Sequence, residues 1–150
     1  MVSLFEAYLL SLAFELQPYL KVQLQDIRGK GATKLFRFFK ESGIAYETLQ
    51  LHQQVQCAIR IRNCLVHASG VLAWSGEGKG VLEVQRTGAY LSPEDRKRRL
   101  RSGTYDELYL QTSVFDDRLM VRNGYAHLLC LYFREYFAQL CQAASQAVIA

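Results

Sequence analysis

Apolar residues recur at steps of three and four over most of this chain, the spacing of helices that bury one face. Phe5, Leu9, Leu12, Leu16 and Leu20 set that rhythm over residues 2 to about 24. Pro18 interrupts it. A proline inside a helix removes a hydrogen bond and crowds the preceding turn, so this helix is expected to bend or divide there. Arg28-Gly-Lys-Gly31 reads as a loop. A second helix is predicted over about 32–42, with Leu35, Phe38 and Phe39 inward and Gly43 as its stop. A third covers about 46–67, with Gly70 just past its end.

The pattern changes over residues 71–91. Gly76, Gly78, Gly80 and Gly88 flank Val81-Leu-Glu-Val84, a short alternating run that suggests a strand or extended loop. Ser92-Pro-Glu-Asp95 looks like a helix start, with Ser92 as cap, Pro93 at the first position and acids in the first turn. That helix is expected to end by Gly103. Leu108-Tyr-Leu110 and Arg118-Leu-Met-Val121, separated by Asp116-Asp117, suit a small hairpin. A last helix, rich in Leu, Tyr and Phe, occupies about 123–147. With no linker and no low-complexity segment, residues 1–150 read as a single domain of helices with a small extended insertion.

Composition narrows the class. Half of the 150 residues are apolar and 21% are charged, as in ordinary globular proteins. The formal net charge of +4 tolerates an anionic partner. Twelve of the eighteen basic residues are Arg, the side chain better suited to bidentate phosphate contacts. Cys57, Cys64, Cys130 and Cys141 sit in apolar stretches without a C-x-x-C pair or a zinc-type arrangement with histidine. They read as buried free thiols in a reducing compartment, and no metal or cofactor is expected. The first residues lack the charged-then-apolar layout of a signal peptide. No run reaches the roughly 18 apolar residues of a membrane span. A cytoplasmic protein without a membrane partner is the expectation.

The densest chemistry lies in Arg60-Ile-Arg-Asn-Cys-Leu-Val-His67. Leu51, Val55, Ala58, Leu65 and Val66 form an apolar stripe at helical spacing, and position 62, in the middle of it, holds Arg. A guanidinium there must reach an acid, snorkel to water, or face a wet or shared cleft, because burying it unpaired is too costly. Arg60, Asn63 and His67 are spaced by three and four and share a neighbouring face. Histidine gives or takes a proton near neutral pH without large tuning, so these residues suit phosphate binding and proton transfer. A plainer role, His67 interacting with the helix dipole, also fits a helix end.

Arg62-Asn-Cys-Leu-Val-His67-Ala-Ser-Gly70 resembles the R-N-x-x-x-H-x-x-G form of the HEPN signature. Phe5-Glu-Ala-Tyr8 in the first helix, the short second helix and the motif near the end of the third follow that family's order over about residues 1–72. The resemblance implies an all-α fold, a HEPN-like helical bundle with a small extended or β-hairpin insertion. It further implies a homodimer that brings two motifs into one cleft. Many members are metal-independent endoribonucleases of toxin–antitoxin or antiviral systems, so RNA and an antitoxin or defence-system partner are implied. His67 would be the general acid or base for attack of a ribose 2′-OH on its phosphate, Arg62 would stabilise the developing charge, and Asn63 would orient motif or phosphate. A step of five residues separates Arg62 and His67 by about 140° on a regular helix. Either the helix loosens near His67, or a groove between two chains collects both. Arg60 is the alternative phosphate ligand.

Position 69 is Ser, so the family branch with a modifiable Tyr two residues after the His is not matched. Arg122-Asn-Gly-Tyr-Ala-His127 repeats the spacing, but Asn123-Gly124 reads as the entry to the last helix and the repeat as coincidence. Arg96, Lys97, Arg98, Arg99 and Arg101 form the densest basic run, either a solvated helix face or, with Arg60, a track for an RNA backbone. The aromatics of 125–137 read as core or dimer interface. Gly-x-Gly-x-Gly at 76–80 lacks the strand–helix setting of a nucleotide loop. Beside the endoribonuclease stand two other functions: a non-catalytic RNA- or protein-binding module, and a structural dimerisation domain.

Overall fold

Pro18 ends the first helix sooner than the apolar rhythm suggests. In the computed structural model, which describes residues 1–102 and 106–149 (backbone only at 100 and 102), helix α1 spans Val2–Leu16. Pro18 lies in a 3-10 turn, Gln17–Tyr19, because its ring would crowd the carbonyl four residues back. The expected helix out to about residue 24 is therefore shortened. Phe5, Leu9, Ala13 and Leu16 are buried, whereas Leu12 and Leu20 are only half-buried.

The chain folds as two units, one of Met1–His52 with Phe133–Ala150 and one of Gln53–Tyr132. In the first, α2 spans Gly31–Glu41 and buries Leu35, Phe36, Phe38 and Phe39. Gly43, at φ +79°, stops it: its amide donates to Lys40 and the Ile44 amide to Phe39, which satisfies two terminal carbonyls. The later part of α6, Asn123–Ile149, completes this unit, and Phe133 stacks on Phe5 with ring centroids 4.4 Å apart.

The second unit holds most of α3, His52–Ala68, together with α4, Gly78–Thr87, and α5, Pro93–Ser102. Helix α3 starts later than expected, since Tyr46–Thr48 forms a 3-10 turn and Leu51 has φ +64°. Its core face also differs: Gln54, Val55, Cys57, Ala58, Ile61, Cys64 and Ala68 are buried, while Leu65 and Val66 are exposed. The buried Gln54 is satisfied, donating to the carbonyls of Ala89 (3.2 Å) and Leu91 (3.1 Å).

Residues 81–84 are helical, not extended. The glycines around them delimit α4: Gly78 packs so closely on the Leu72 carbonyl that a Cβ has no room, and Gly88 closes the helix at φ +67°. Val81 and Val84 then share its buried face. Ser92 caps α5 as expected, its Oγ accepting the Asp95 amide at 3.2 Å. Gly103, the expected end of that helix, lies outside the described residues.

Strands β1, Leu108–Ser113, and β2, Asp116–Val121, pair antiparallel from Leu108 opposite Val121 to Ser113 opposite Asp116. The hairpin is longer than expected, and Val114-Phe115 forms its turn, with Asp116-Asp117 inside β2. The architecture is mainly helical with one small antiparallel hairpin. Among the described residues, no helix is long and apolar enough to cross a membrane.

Candidate functional site

The Arg62–His67 segment forms the last turn and a half of α3, and the helix stays regular through His67 before ending at Ala68. Its first departure is Ser69, at φ +50°, followed by Gly70 at φ +80°. The helix does not loosen at His67. Within one chain the two side chains leave the axis about 140° apart. Val66 and Asn63 fall inside that arc, at about 40° and 100° from Arg62.

Arg62 is half-buried on the flank of the core stripe, not at its centre, because Ile61 and Cys64 take the inward positions. Its Nη1 donates to Asn63 Oδ1 at 2.9 Å, so the adjacent Arg and Asn act as one polar unit. His67 is exposed. Arg60 is exposed about two turns earlier, 3.7 Å from the Glu77 carboxylate.

The turn after His67 is fastened to β2. The Leu119 amide donates to the Gly70 carbonyl at 2.8 Å, the Arg118 Nε donates to the Ser69 carbonyl at 2.9 Å, and Val71 bridges Arg118 as an extra antiparallel pair. The Gly70 amide in turn donates back to Cys64 at 3.1 Å. The end of α3 is thereby fixed by the hairpin rather than left to fray.

Helix α5 sorts its cations. Arg99 pairs with Glu107, both largely buried, and Arg96 lies against Gly88. Lys97, Arg98 and Arg101 are exposed and, with Glu94, line an open concavity of about 480 Å3. Arg98 reaches Asp95 at 3.6 Å. The six basic residues read as an RNA track differ in setting: Lys97, Arg98 and Arg101 lie along one exposed stripe of α5, Arg60 is exposed on α3 beside Glu77, and Arg96 and Arg99 are half-buried, against Gly88 and Glu107.

The second R-N-x-x-x-H has a local structural explanation. A Cβ at Gly124 would lie 2.6 Å from Glu107 Oε1, so glycine there makes room for that carboxylate at the start of α6. A carboxylate at a helix N-terminus is favourable. His127 is exposed.

Cys57 and Cys64 are buried, with burial pushing both thiols above their usual pKa. Cys130, expected to be buried, is exposed, and Cys141 is half-buried, because neither position faces the core side of the long helix α6. Tyr125, Tyr132, Phe133 and Tyr136 are core residues of their units.

Two groupings were not singled out from sequence. In the first unit His52 Nδ1 lies 3.0 Å from the Tyr136 hydroxyl, among Phe36 and Tyr46. Burial lowers the His52 pKa, and the Glu47 charge opposes that shift. In the second unit Trp74 and Phe115 form an exposed aromatic pair, with centroids 5.3 Å apart. The signal for it was the position of the sole tryptophan, four residues after Gly70.

Among the described residues, no group of three or more His, Cys, Asp or Glu is arranged to hold a metal ion. The chain matches no family model, no curated protein and no solved structure.

Proposed function

We propose that this protein is a metal-independent endoribonuclease of the HEPN type, a cytoplasmic toxin or antiviral-defence effector that works as a homodimer. The observation that carries the reading is the joined Arg62–Asn63 pair with an exposed His67 at a helix end held rigidly by β2. An accessible imidazole on a fixed support suits proton transfer to a polymer approaching from solvent.

His67 of one copy takes the proton of a ribose 2′-OH as its oxygen attacks the adjacent phosphorus. The bond to the 5′-oxygen breaks, and that oxygen takes a proton from the second copy's imidazolium or from water. The products are a 2′,3′-cyclic phosphate and a free 5′-hydroxyl, and no net proton is consumed. Arg62 stabilises the charge that grows on the non-bridging oxygens, and Asn63 holds the guanidinium. The 140° between Arg62 and His67 calls for a groove between two chains, and the exposed Val66 within that arc is an apolar contact for the second copy.

The test is RNA cleavage by purified protein in EDTA beside His67→Ala. Full activity in the folded variant excludes this centre. A second reading, a non-catalytic RNA-binding module, draws on the exposed Lys97, Arg98 and Arg101 stripe. RNA binding without cleavage on any RNA supplied would favour it.

A further inference from the structure

Resting on the reading of Arg62, Asn63 and His67 as a ribonuclease centre, we propose that Trp74 and Phe115 form a stacking platform for an unpaired base of single-stranded RNA. Local structure brings the two rings together. Val71 bridges Arg118 in β2. The chain then turns through a 3-10 segment, Leu72–Trp74, that packs against β2, and the Trp74 and Phe115 rings lie 5.3 Å apart at 50°.

Burial does not account for these residues. Trp74 is 58% exposed, Phe115 63% and Val114 94%. Val114 and Phe115 also occupy a two-residue hairpin turn, where Asn, Asp and Gly are the usual choices. An aromatic pair of this size suits one nucleobase, and stacking accepts any base because each has a π-face.

The charges around the platform agree with a base rather than a phosphate as its occupant. Asp116 and Asp117 follow Phe115 and repel the RNA backbone from the hairpin tip. Arg118 lies three residues farther along β2, bonded to Ser69 beside the motif. The backbone is therefore held on the arginine side while the neutral base reaches the rings. Seven residues separate His67 from Trp74, a span of at most about 25 Å, so the stacked base lies within a few nucleotides of the scissile phosphate.

Trp74 is the only tryptophan in the chain, so its fluorescence reports this site alone. The full chain is titrated with a short single-stranded RNA made uncleavable by 2′-O-methylation, and with an abasic strand of the same length. The expected result is saturable quenching by the base-bearing strand alone. In anisotropy measurements with a labelled strand, Trp74→Ala and Phe115→Ala should each weaken binding about tenfold, and Trp74→Phe much less. Absence of quenching, or equal affinity of Trp74→Ala and wild type, overturns the platform. A blue shift that follows protein concentration without RNA means that a protein surface covers Trp74, and overturns it equally. Because the strand cannot be cut, this outcome is separate from the nuclease reading: cleavage without quenching removes only the platform, and quenching without cleavage removes only the catalysis.

Discussion

The carbonyl of Gly70 accepts the Leu119 amide at 2.8 Å, and a Cβ at Gly70 would stand 2.8 Å from the Leu119 carbonyl oxygen. Two independent demands, φ +80° and this close approach, therefore fall on one glycine three residues after His67. Gly70→Ala should cost about 1–3 kcal/mol and loosen the seam between α3 and β2. Urea unfolding checks this: an unchanged midpoint would show that β2 does not clamp the helix end.

His67→Ala should abolish cleavage without lowering the thermal midpoint, since His67 is exposed at the end of α3. Arg62→Ala should reduce cleavage on the order of a hundredfold or more, the loss typical of one transition-state donor. Arg60→Ala and His127→Ala should do less. Product analysis should find a 2′,3′-cyclic phosphate, formed equally well in EDTA. A 3′-hydroxyl product would exclude attack by the neighbouring 2′-OH.

The two classes of arginine on α5 should separate by experiment. Replacing Lys97, Arg98 and Arg101 with Gln should weaken RNA binding for all sequences and flatten its salt dependence, without changing stability. Arg99→Ala instead leaves the Glu107 carboxylate largely buried without its cation, at a cost of roughly 3 kcal/mol or more. Equal salt slopes for wild type and the triple variant would reduce that stripe to a solvated surface.

Acidification should destabilise the first unit through His52. Its pKa is lowered in the folded state, mainly by burial, with Glu47 opposing. The unfolded chain therefore binds more protons in the window below the ordinary histidine value of about 6.5. Stability is full above that value and falls as pH drops towards the folded-state pKa. Tyr46 and Tyr136 also face the ring, but burial raises both phenol pKa values, away from this window. His52→Gln should flatten the fall in urea midpoint between pH 7 and 5. An identical profile in the variant would assign the acid lability elsewhere.

Local chemistry was legible in the sequence. Gly43 as a helix stop, Ser92-Pro93 as a helix start, the hairpin and the long last helix each rest on contacts within a few residues, and each is present. That Arg62, Asn63 and His67 share the end of one helix was equally visible, but on that helix Arg62 and His67 point about 140° apart.

Tertiary structure decided what depends on partners far along the chain. Val81 and Val84 suit a strand as well as a helix, and close packing at Gly78 belongs to the helical choice. The apolar stripe read on α3 ran through Leu65 and Val66, whereas packing buried Ile61 and Cys64 instead. The basic run of α5 looked uniform until Glu107 and Gly88 singled out Arg99 and Arg96. Trp74 meets Phe115 because the 3-10 turn Leu72–Trp74 packs against β2, a contact between segments far apart in the sequence. Periodicity reports which faces a segment offers; which neighbour covers each face is a property of the assembled chain.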